Sequence, residues 1–202
     1  VTEGIKLCAE AGQKIVPVGG NTGLVDGQHA TENEIQISLE RMNQVEHVDA
    51  TDRTATVQAG TPLQTVQEAA EAANLFFPLD IGGRGTATIG GNISTNAGGN
   101  RVVRYGMARD MVLGLEAVLA DGTIISSMNR MIKNNAGYDL KQLFIGTEGT
   151  LGIVTRAVLR LREKPRSEST AMVALDSFDN VISFFKEIDA GLGGTLSAFE
   201  VM

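Results

Sequence analysis

The sequence predicts an α+β fold, and three observations support that class. A small helix-strand-strand unit comes first, a larger mixed sheet follows, and a new domain begins near residue 167. Two pairs of strand-like runs flank tight turns at Asp52-Arg53 and Asp121-Gly122, which predicts two β-hairpins. The 24 glycines cluster in turns and loops, where the backbone can adopt positive φ or approach a ligand closely.

The individual elements follow from apolar periodicity and from start and stop signals. Thr61 is predicted to cap a helix whose first residue is Pro62, because proline tolerates the first helical position. Residues 164–167 form the best candidate linker. The remaining predicted elements are a first helix ending near Ala11, strands at 15–18 and 35–39, hairpins 45–49/54–59 and 113–119/123–126, a short helix at 139–144, a strand at 152–161, a strand at 171–175, a helix at 178–190 and a strand at 196–202.

Composition excludes some classes of function. The net charge of −7 argues against a polyanion-binding surface, since such surfaces need clustered Lys and Arg, and no nucleic-acid partner is expected. One basic run exists, and we interpret it as a solvated strand face rather than a binding patch: Arg156, Arg160, Arg162, Lys164 and Arg166. Cys8 is the only cysteine, so no internal disulfide is possible. No run of apolar residues approaches the roughly 18 needed for a membrane span.

Several kinds of catalytic centre lack their residues. The two histidines, His29 and His47, have no Cys or Asp spacing typical of zinc, and no metal is predicted. The motifs H-E-x-x-H, G-x-S-x-G and G-x-x-x-x-G-K-[ST] are absent. Metal-dependent hydrolysis, serine hydrolysis and P-loop phosphate transfer are therefore not supported.

Three glycine-rich runs carry the functional signal. Gly19-Gly20-Asn21-Thr22-Gly23 follows a predicted strand, and its successive N–H groups can form a nest for an anion such as a diphosphate. Residues 82–99 contain seven glycines and small polar side chains that suit a flat or phosphorylated ligand. Residues 146–154 add Glu148 as an acceptor. Each run alone is also compatible with a plain turn or a tight backbone crossing. Gly83-x-Gly85-x-x-Thr88 lacks the third glycine of a Rossmann fingerprint, which disfavours a nicotinamide cofactor.

Together these runs resemble a known family. Pro17 to Gly23, Pro78-Leu79-Asp80, Ile89 to Gly99, Arg104-Tyr105-Gly106 and Asn135 to Ile153 are similar, in order, to the FAD-linked oxidases of the vanillyl-alcohol oxidase type. Within that family the chain resembles the branch of D-2-hydroxyglutarate, D-lactate and glycolate dehydrogenases, and it is expected to be an N-terminal FAD-binding fragment.

The resemblance implies a fold of two FAD-binding subdomains, residues 1–50 and 51–165, followed by the start of an α+β substrate domain at residues 166–202. It implies non-covalent FAD, since no histidine lies within the phosphate loops. Asp26 stands where relatives often have glycine, and it is expected to point away from a diphosphate. The residues implied to bind FAD are Pro17, Val18, Gly19, Gly20, Asn21, Thr22, Gly23, Leu24, Pro78, Asp80, Thr88, Ile89, Gly90, Gly91, Asn92, Thr95, Asn96, Ala97, Gly98, Tyr105, Glu148, Gly152 and Ile153.

The implied reaction is hydride transfer from a D-2-hydroxy acid to the flavin, with a protein or quinone as a possible electron acceptor. No catalytic residue is assigned, because in the resembled branch the base and substrate cations come from the C-terminal part; Lys133, Asn135 and Tyr138 are weaker candidates to face the flavin. A bacterial cytoplasm or an organelle matrix is the expected location. Two alternatives stay open: another FAD-linked reaction, such as that of a sugar-alcohol oxidase or ether-lipid synthase, and a non-catalytic nucleotide-binding module.

Overall fold

The computed structural model describes every residue from Val1 to Met202 and has a mixed α+β architecture. Its helices are α1 (Thr2–Glu10), α2 (Leu63–Ala72), α3 (Ile89–Ser94), α4 (Val102–Tyr105) and α5 (Phe178–Gly191). Its strands are β1 (Lys14–Val18), β2 (Glu34–Ser38), β3 (Val45–Asp49), β4 (Thr54–Gln58), β5 (Leu75–Phe76), β6 (Val112–Val118), β7 (Ile124–Ser127), β8 (Ile153–Arg160) and β9 (Arg162–Glu163). Two short 3₁₀ helices cover Ala108–Met111 and Leu140–Leu143.

Three sheets organise the chain. β1 and β2 pair in parallel, and β5 pairs with β9 in an antiparallel ribbon. The largest sheet has the order β3-β4-β8-β6-β7, and all of its pairings are antiparallel. β8 lies at its centre. Six of its eight residues are buried, so both faces of this strand are covered by other parts of the protein.

The hydrophobic core lies against the five-stranded sheet. Its cluster of buried residues includes Val57 on β4, Leu63 and Val66 on α2, Ile93 on α3 and Leu159 on β8. Burying such aliphatic side chains contributes about 1.5–3 kcal/mol each. The core therefore holds α2 and the short α3 on the sheet, and α3 brings the second glycine-rich run to a fixed place.

Most of the predicted elements are confirmed. The first helix, both hairpins and the helix after residue 177 occur within one or two residues of the predicted bounds. Positive φ at Arg53 (53°) and Gly122 (81°) closes the two hairpins, as their turn positions require.

Three local predictions were wrong. Thr61 does not cap α2, because Pro62 occupies the N-cap and the Thr61 hydroxyl donates to the Gln44 carbonyl at 3.1 Å. Residues 171–175 and 196–202 are not strands, since no neighbouring strand supplies hydrogen-bond partners for their backbone.

No helix is long and apolar enough to cross a membrane.

The sheet pairing bears on the predicted subdomains. A boundary after residue 50 would assign β3 to the first subdomain, although β3 is hydrogen-bonded to β4 in the large sheet. We therefore propose that the first boundary lies between β2 and β3, while the boundary near residue 165 stays a prediction. Residues 166–202 contain α5, which has no buried residue.

Candidate functional site

A cleft of about 420 Å³ lies where the three glycine-rich runs converge. It is bounded by the first glycine loop (residues 19–28), by the glycine-rich segment (residues 82–99) and by the turn that contains Glu148. Sixteen of the predicted site residues line it: Pro17, Val18, Gly19, Gly20, Asn21, Thr22, Gly23, Leu24, Thr88, Gly90, Gly91, Asn92, Thr95, Ala97, Glu148 and Ile153. The structure thus brings together residues as far apart in sequence as Pro17 and Ile153.

The first glycine loop presents uncommitted backbone donors. The N–H groups of the five residues from Gly19 to Gly23 donate no hydrogen bond to any other group of the protein. Asn21 has a φ of 54°, a left-handed conformation that asparagine tolerates better than most residues. Successive free N–H groups in a loop after a strand are a suitable cradle for a diphosphate.

Glycine at positions 19 and 20 is required by the approach of the glycine-rich segment. A Cβ added to Gly19 would lie 2.7 Å from Thr88 Oγ1. At Gly20 it would overlap with the backbone carbonyl of Thr86. The loop and the segment therefore touch through bare backbone, which closes one wall of the cleft.

The glycine-rich segment is held mainly by the protein itself. The N–H groups of Ile89 and Gly90 donate to the carbonyls of Thr61 and Ala59, at 2.9 and 2.7 Å. Thr88 caps α3 by accepting from the Gly91 N–H at 3.3 Å. These amides at the start of α3 are thus engaged within the protein, and the segment lines the cleft with its surface rather than with free backbone donors.

Asn92 is the exception within this segment. Its side chain is 5% exposed, it lines the cleft, and its Nδ2 is buried without a hydrogen-bond partner. A buried amide donor without an acceptor costs about 1–3 kcal/mol, so such groups are uncommon in folded proteins. The orphaned donor is accounted for if a bound molecule supplies the acceptor.

The Glu148 turn contacts both the first glycine loop and the glycine-rich segment. Glu148 has a φ of 54°, and its N–H donates to the Ser94 carbonyl at 2.8 Å. Its Oε2 lies 3.0 Å from the point where a Cβ on Gly27 would stand. Gly149 packs against the ring of Pro17. Glu148 is the only charged side chain in the lining, which contains no Lys or Arg.

Asp26 does not line the cleft. Its side chain is 79% exposed, and its Oδ1 lies 3.4 Å from His29 Nδ1. The carboxylate is therefore directed to a neighbour on the loop. Lys133, Asn135 and Tyr138 also lie outside the lining, and Tyr138 is 96% exposed.

Seven predicted site residues do not line the cleft, because their surroundings are other parts of the protein. Asp80 pairs with Arg84 and Arg101 at 3.3 and 3.5 Å. Asn96 Oδ1 accepts from the Arg109 N–H at 3.0 Å. Pro78 and Ile89 are buried, and Tyr105 packs on Phe76. Gly98 faces Met107, and Gly152 faces Phe144 and the Val118 carbonyl. The full set is Pro78, Asp80, Ile89, Asn96, Gly98, Tyr105 and Gly152.

Sequence reasoning missed eight lining residues. Gly27 and Gln28 extend the first glycine loop beyond Gly23, and Gly149 follows Glu148 in the third run, so an adjacent motif was available as a signal in each case. Leu39, Ile81 and Val154 carry no such signal, since they are ordinary apolar residues placed by the fold. The missed residues are Val25, Gly27, Gln28, Leu39, Ile81, Ser94, Gly149 and Val154.

Comparison with known proteins identifies the family of this chain. The sequence profile of the FAD binding domain family matches residues 1–127, which is more than half of the chain. The chain belongs to the FAD binding domain family. FAD is the cofactor of that family, and the lining fits it: the first glycine loop offers free amides for a diphosphate, and Asn92 offers an orphaned donor.

Relatives within the family are similar over almost the whole chain. D-2-hydroxyglutarate dehydrogenase of Xanthomonas citri pv. viticola is 47% identical over 186 residues, which cover 92% of this chain and 39% of that protein. The mitochondrial D-2-hydroxyglutarate dehydrogenase of Danio rerio is 43% identical, with coverage of 100% and 38%. A putative mitochondrial D-lactate dehydrogenase of Schizosaccharomyces pombe is 40% identical, again with 100% and 38%. The chain spans about two fifths of the length of these relatives.

Solved structures confirm the fold. Two structures of alkyldihydroxyacetonephosphate synthase, in different crystal forms, match with TM-scores of 0.79 and 0.77 at 24% identity. Both matches cover 95% of this chain, and they cover 35% and 38% of the other chain. The α+β FAD-binding architecture predicted from the sequence is therefore present.

Proposed function

We propose that this chain is the FAD-binding part of an enzyme that oxidises a D-2-hydroxy acid to the 2-oxo acid. The observation that carries the proposal is the cleft itself, whose lining includes five free backbone amides and an orphaned side-chain amide donor. The names of the relatives, D-2-hydroxyglutarate and D-lactate dehydrogenases, support this substrate class.

The roles of the residues follow from their chemistry. The amides of Gly19 to Gly23 would hold the diphosphate, since successive N–H donors can converge on its oxygens. Asn92 would donate to another acceptor on the cofactor, and Glu148 would accept from a hydroxyl or ring N–H. Bound FAD supplies the redox chemistry by accepting a hydride from the α-carbon of the hydroxy acid.

The substrate itself needs groups that this cleft does not offer. A hydroxy acid carries a carboxylate, yet the lining contains no cation to pair with it. A base for the hydroxyl proton must also be within hydrogen-bond reach, and Glu148 is the only ionisable lining group. We propose that both come from the remainder of the protein, and no catalytic residue is assigned within this chain.

The substrate, the mode of FAD attachment and the electron acceptor are also part of this proposal. The substrate is a small hydroxy acid, FAD is held without a covalent bond, and the electron acceptor is a protein or a quinone. A bacterial cytoplasm or an organelle matrix suits relatives that include bacterial and mitochondrial enzymes.

The test uses the complete FAD-loaded protein that contains this chain, because the base and the substrate-binding cation are proposed to lie outside the chain, and it begins with the visible spectrum of that protein. Anaerobic addition of D-2-hydroxyglutarate, D-lactate and glycolate should bleach the flavin absorbance with one of them. A protein that takes up FAD but is reduced by none of the three would favour the nucleotide-binding alternative. A protein that takes up no FAD would contradict the assignment of the cleft.

A variant tests the orphaned donor separately from turnover. Asn92→Ala should raise the dissociation constant for FAD about tenfold, because one hydrogen bond to the cofactor is lost. The unfolding free energy of the FAD-free protein should change little, because removing the unsatisfied donor offsets part of the lost packing. FAD quenching titration and urea unfolding measure the two effects, with exposed Asn134→Ala as the control. An unchanged FAD affinity would remove Asn92 from the site.

A further inference from the structure

A second cleft lies away from the FAD cleft, beside the β5–β9 ribbon and α4. It has a volume of about 910 Å³ and shares no lining residue with the first. It also lies where the segment after residue 165 meets the preceding part of the chain. Its lining consists of Asn74, Arg104, Tyr105, Arg162, Glu163, Lys164, Pro165, Arg166 and Gly194.

The charge of this lining is opposite to that of the chain. Four cations and one carboxylate surround the cleft, whereas the whole chain has a net charge of −7. The carboxylate, Glu163, is paired with Arg53 outside the lining at 3.4 Å. Lys164 pairs with Glu71. Arg104 lies over the ring of Tyr105, 5.1 Å from its centre, and donates to the Thr195 carbonyl at 3.5 Å.

The other polar groups have no partner within this chain. Arg162 is half-buried and makes no ion pair or side-chain hydrogen bond, and neither does Arg166. Burial, and then the nearby charge of Arg160, lower the pKa of Arg162, while Tyr105 opposes this shift. The Tyr105 hydroxyl and the Asn74 amide are also without side-chain hydrogen bonds. The cleft thus offers two guanidinium groups, a hydroxyl and an amide, and no uncommitted carboxylate.

We propose that this cleft binds a small multivalent anion that carries phosphate or carboxylate groups. Guanidinium groups suit such ligands, because their planar N–H donors can bond two oxygens of one phosphate or carboxylate at once. The bound anion would neutralise Arg162 and would join it to Arg166, across the start of the final segment. The basic run is a solvated strand face only in part: Arg156 pairs with Glu46 and Glu116, while Arg162, Lys164 and Arg166 line this cleft.

Calorimetric titration of the FAD-loaded protein tests the proposal. The probes are inorganic phosphate, pyrophosphate and citrate, each at an ionic strength held constant with sodium chloride. FAD loading fills the first cleft, so binding to the free amides of the first glycine loop does not contribute. One molecule should bind per chain. Tighter binding of pyrophosphate identifies a phosphate ligand, and tighter binding of citrate identifies a carboxylate ligand.

Three variants assign the binding to this cleft. Arg162→Gln and Arg166→Gln should each raise the dissociation constant about tenfold or more, because charge-assisted hydrogen bonds are lost. Arg41→Gln removes the same charge from an exposed residue that lines neither cleft, and it should change the constant less than about twofold. If Arg162→Gln does not fold, Arg166→Gln carries the test, since Arg166 lies in no helix or strand.

Other results overturn the proposal. One is that no probe binds. Another is that Arg41→Gln raises the dissociation constant as much as Arg162→Gln and Arg166→Gln do. A third is that a probe binds only when FAD is absent. If the protein takes up no FAD at all, the proposed function fails, but dependence of pyrophosphate binding on Arg162 and Arg166 still decides this second site.

Discussion

The first glycine loop and the glycine-rich segment use the same residue type for different purposes. In the loop, five consecutive amides from Gly19 to Gly23 have no acceptor in the protein. In the segment, the amides of Ile89, Gly90 and Asn92 all donate to carbonyls of the protein. The backbone N–H groups of the loop are therefore available to a ligand, whereas those of the segment form hydrogen bonds that fix the position of the segment.

The glycines of the segment are needed mainly for packing. A Cβ on Gly90 would lie 2.7 Å from the Cβ of Ala59, and one on Gly99 would overlap with the Asp80 carbonyl. A run of glycines in a sequence thus indicates close backbone approach, but the approaching partner can be a ligand or another part of the chain. Four tests separate these two cases.

The largest effect on stability is expected at Gly99, which does not line the cleft formed by the three glycine-rich runs. Gly99→Ala should lower the unfolding free energy by about 3 kcal/mol, because the new Cβ overlaps with a backbone carbonyl in a segment that cannot shift freely. Urea unfolding of the FAD-free protein measures this. A loss below about 1 kcal/mol would show that the segment is as adaptable as the loop.

Gly20→Ala should weaken the binding of FAD more than it lowers the stability of the protein. The new Cβ overlaps with the Thr86 carbonyl, and the loop can move outward because its amides hold no protein acceptor. The displaced amides should raise the dissociation constant for FAD about 100-fold, while the unfolding free energy without FAD falls less than in Gly99→Ala. Gly23→Ala is the matched control, since its Cβ would meet only the flexible side chain of Gln28 at 3.3 Å. Equal losses of stability in the Gly20 and Gly99 variants would contradict the comparison.

A pair of isosteric changes tests charge. Asn21→Asp adds a negative charge to the loop that would hold the diphosphate, and it should weaken FAD binding about tenfold. Asn96→Asp adds the same charge in the segment but outside the cleft, where its oxygen still accepts from Arg109. Both asparagines have positive φ, 54° and 48°, which aspartate tolerates. FAD titration should therefore distinguish the two variants; similar affinities would place the diphosphate elsewhere.

The smallest effect is expected at Gly82. A Cβ there would meet nothing within 4 Å and the residue has no positive φ, so Gly82→Ala should change the unfolding free energy by less than about 0.5 kcal/mol. FAD affinity should be unchanged. Thermal unfolding and FAD titration check this, and a marked loss in either would mean that the glycine-rich segment needs glycine for a reason other than packing.

Sequence patterns predicted the fold where they are local. The hairpin turns at Arg53 and Gly122, the helix that begins at Phe178 and the α+β class all follow from spacing and turn residues. The two segments 171–175 and 196–202 were predicted as strands but are not, because a strand needs a neighbouring strand edge as hydrogen-bond partner, and local sequence does not reveal one. Thr61 has the chemistry of a helix cap, but its hydroxyl donates to the distant Gln44 carbonyl.

The candidate site shows the same limit. The convergence of three glycine-rich runs was predicted by resemblance, and the structure brings them to one cleft. Asp80 and Asn96 are polar residues within those runs, but Arg84, Arg101 and the Arg109 amide engage them. Which polar group remains free for a ligand depends on such long-range partners. The unpaired Asn92 donor is therefore visible only in the folded structure.

The parallel pairing of β1 with β2 has a consequence for the length of the connection between them. Lys14 lies opposite Glu34, so the fifteen residues 19–33 must return along the full strand length of roughly 16 Å. Fully extended, they would reach about 50 Å. A connection between parallel strands must also arch over the sheet, which usually takes about a dozen residues or more, so fifteen residues leave little length to spare. The same short connection therefore both joins the strand pair and supplies lining residues of the cleft, and a deletion of more than about three residues from it should weaken the pairing of β1 with β2 as well as alter the cleft.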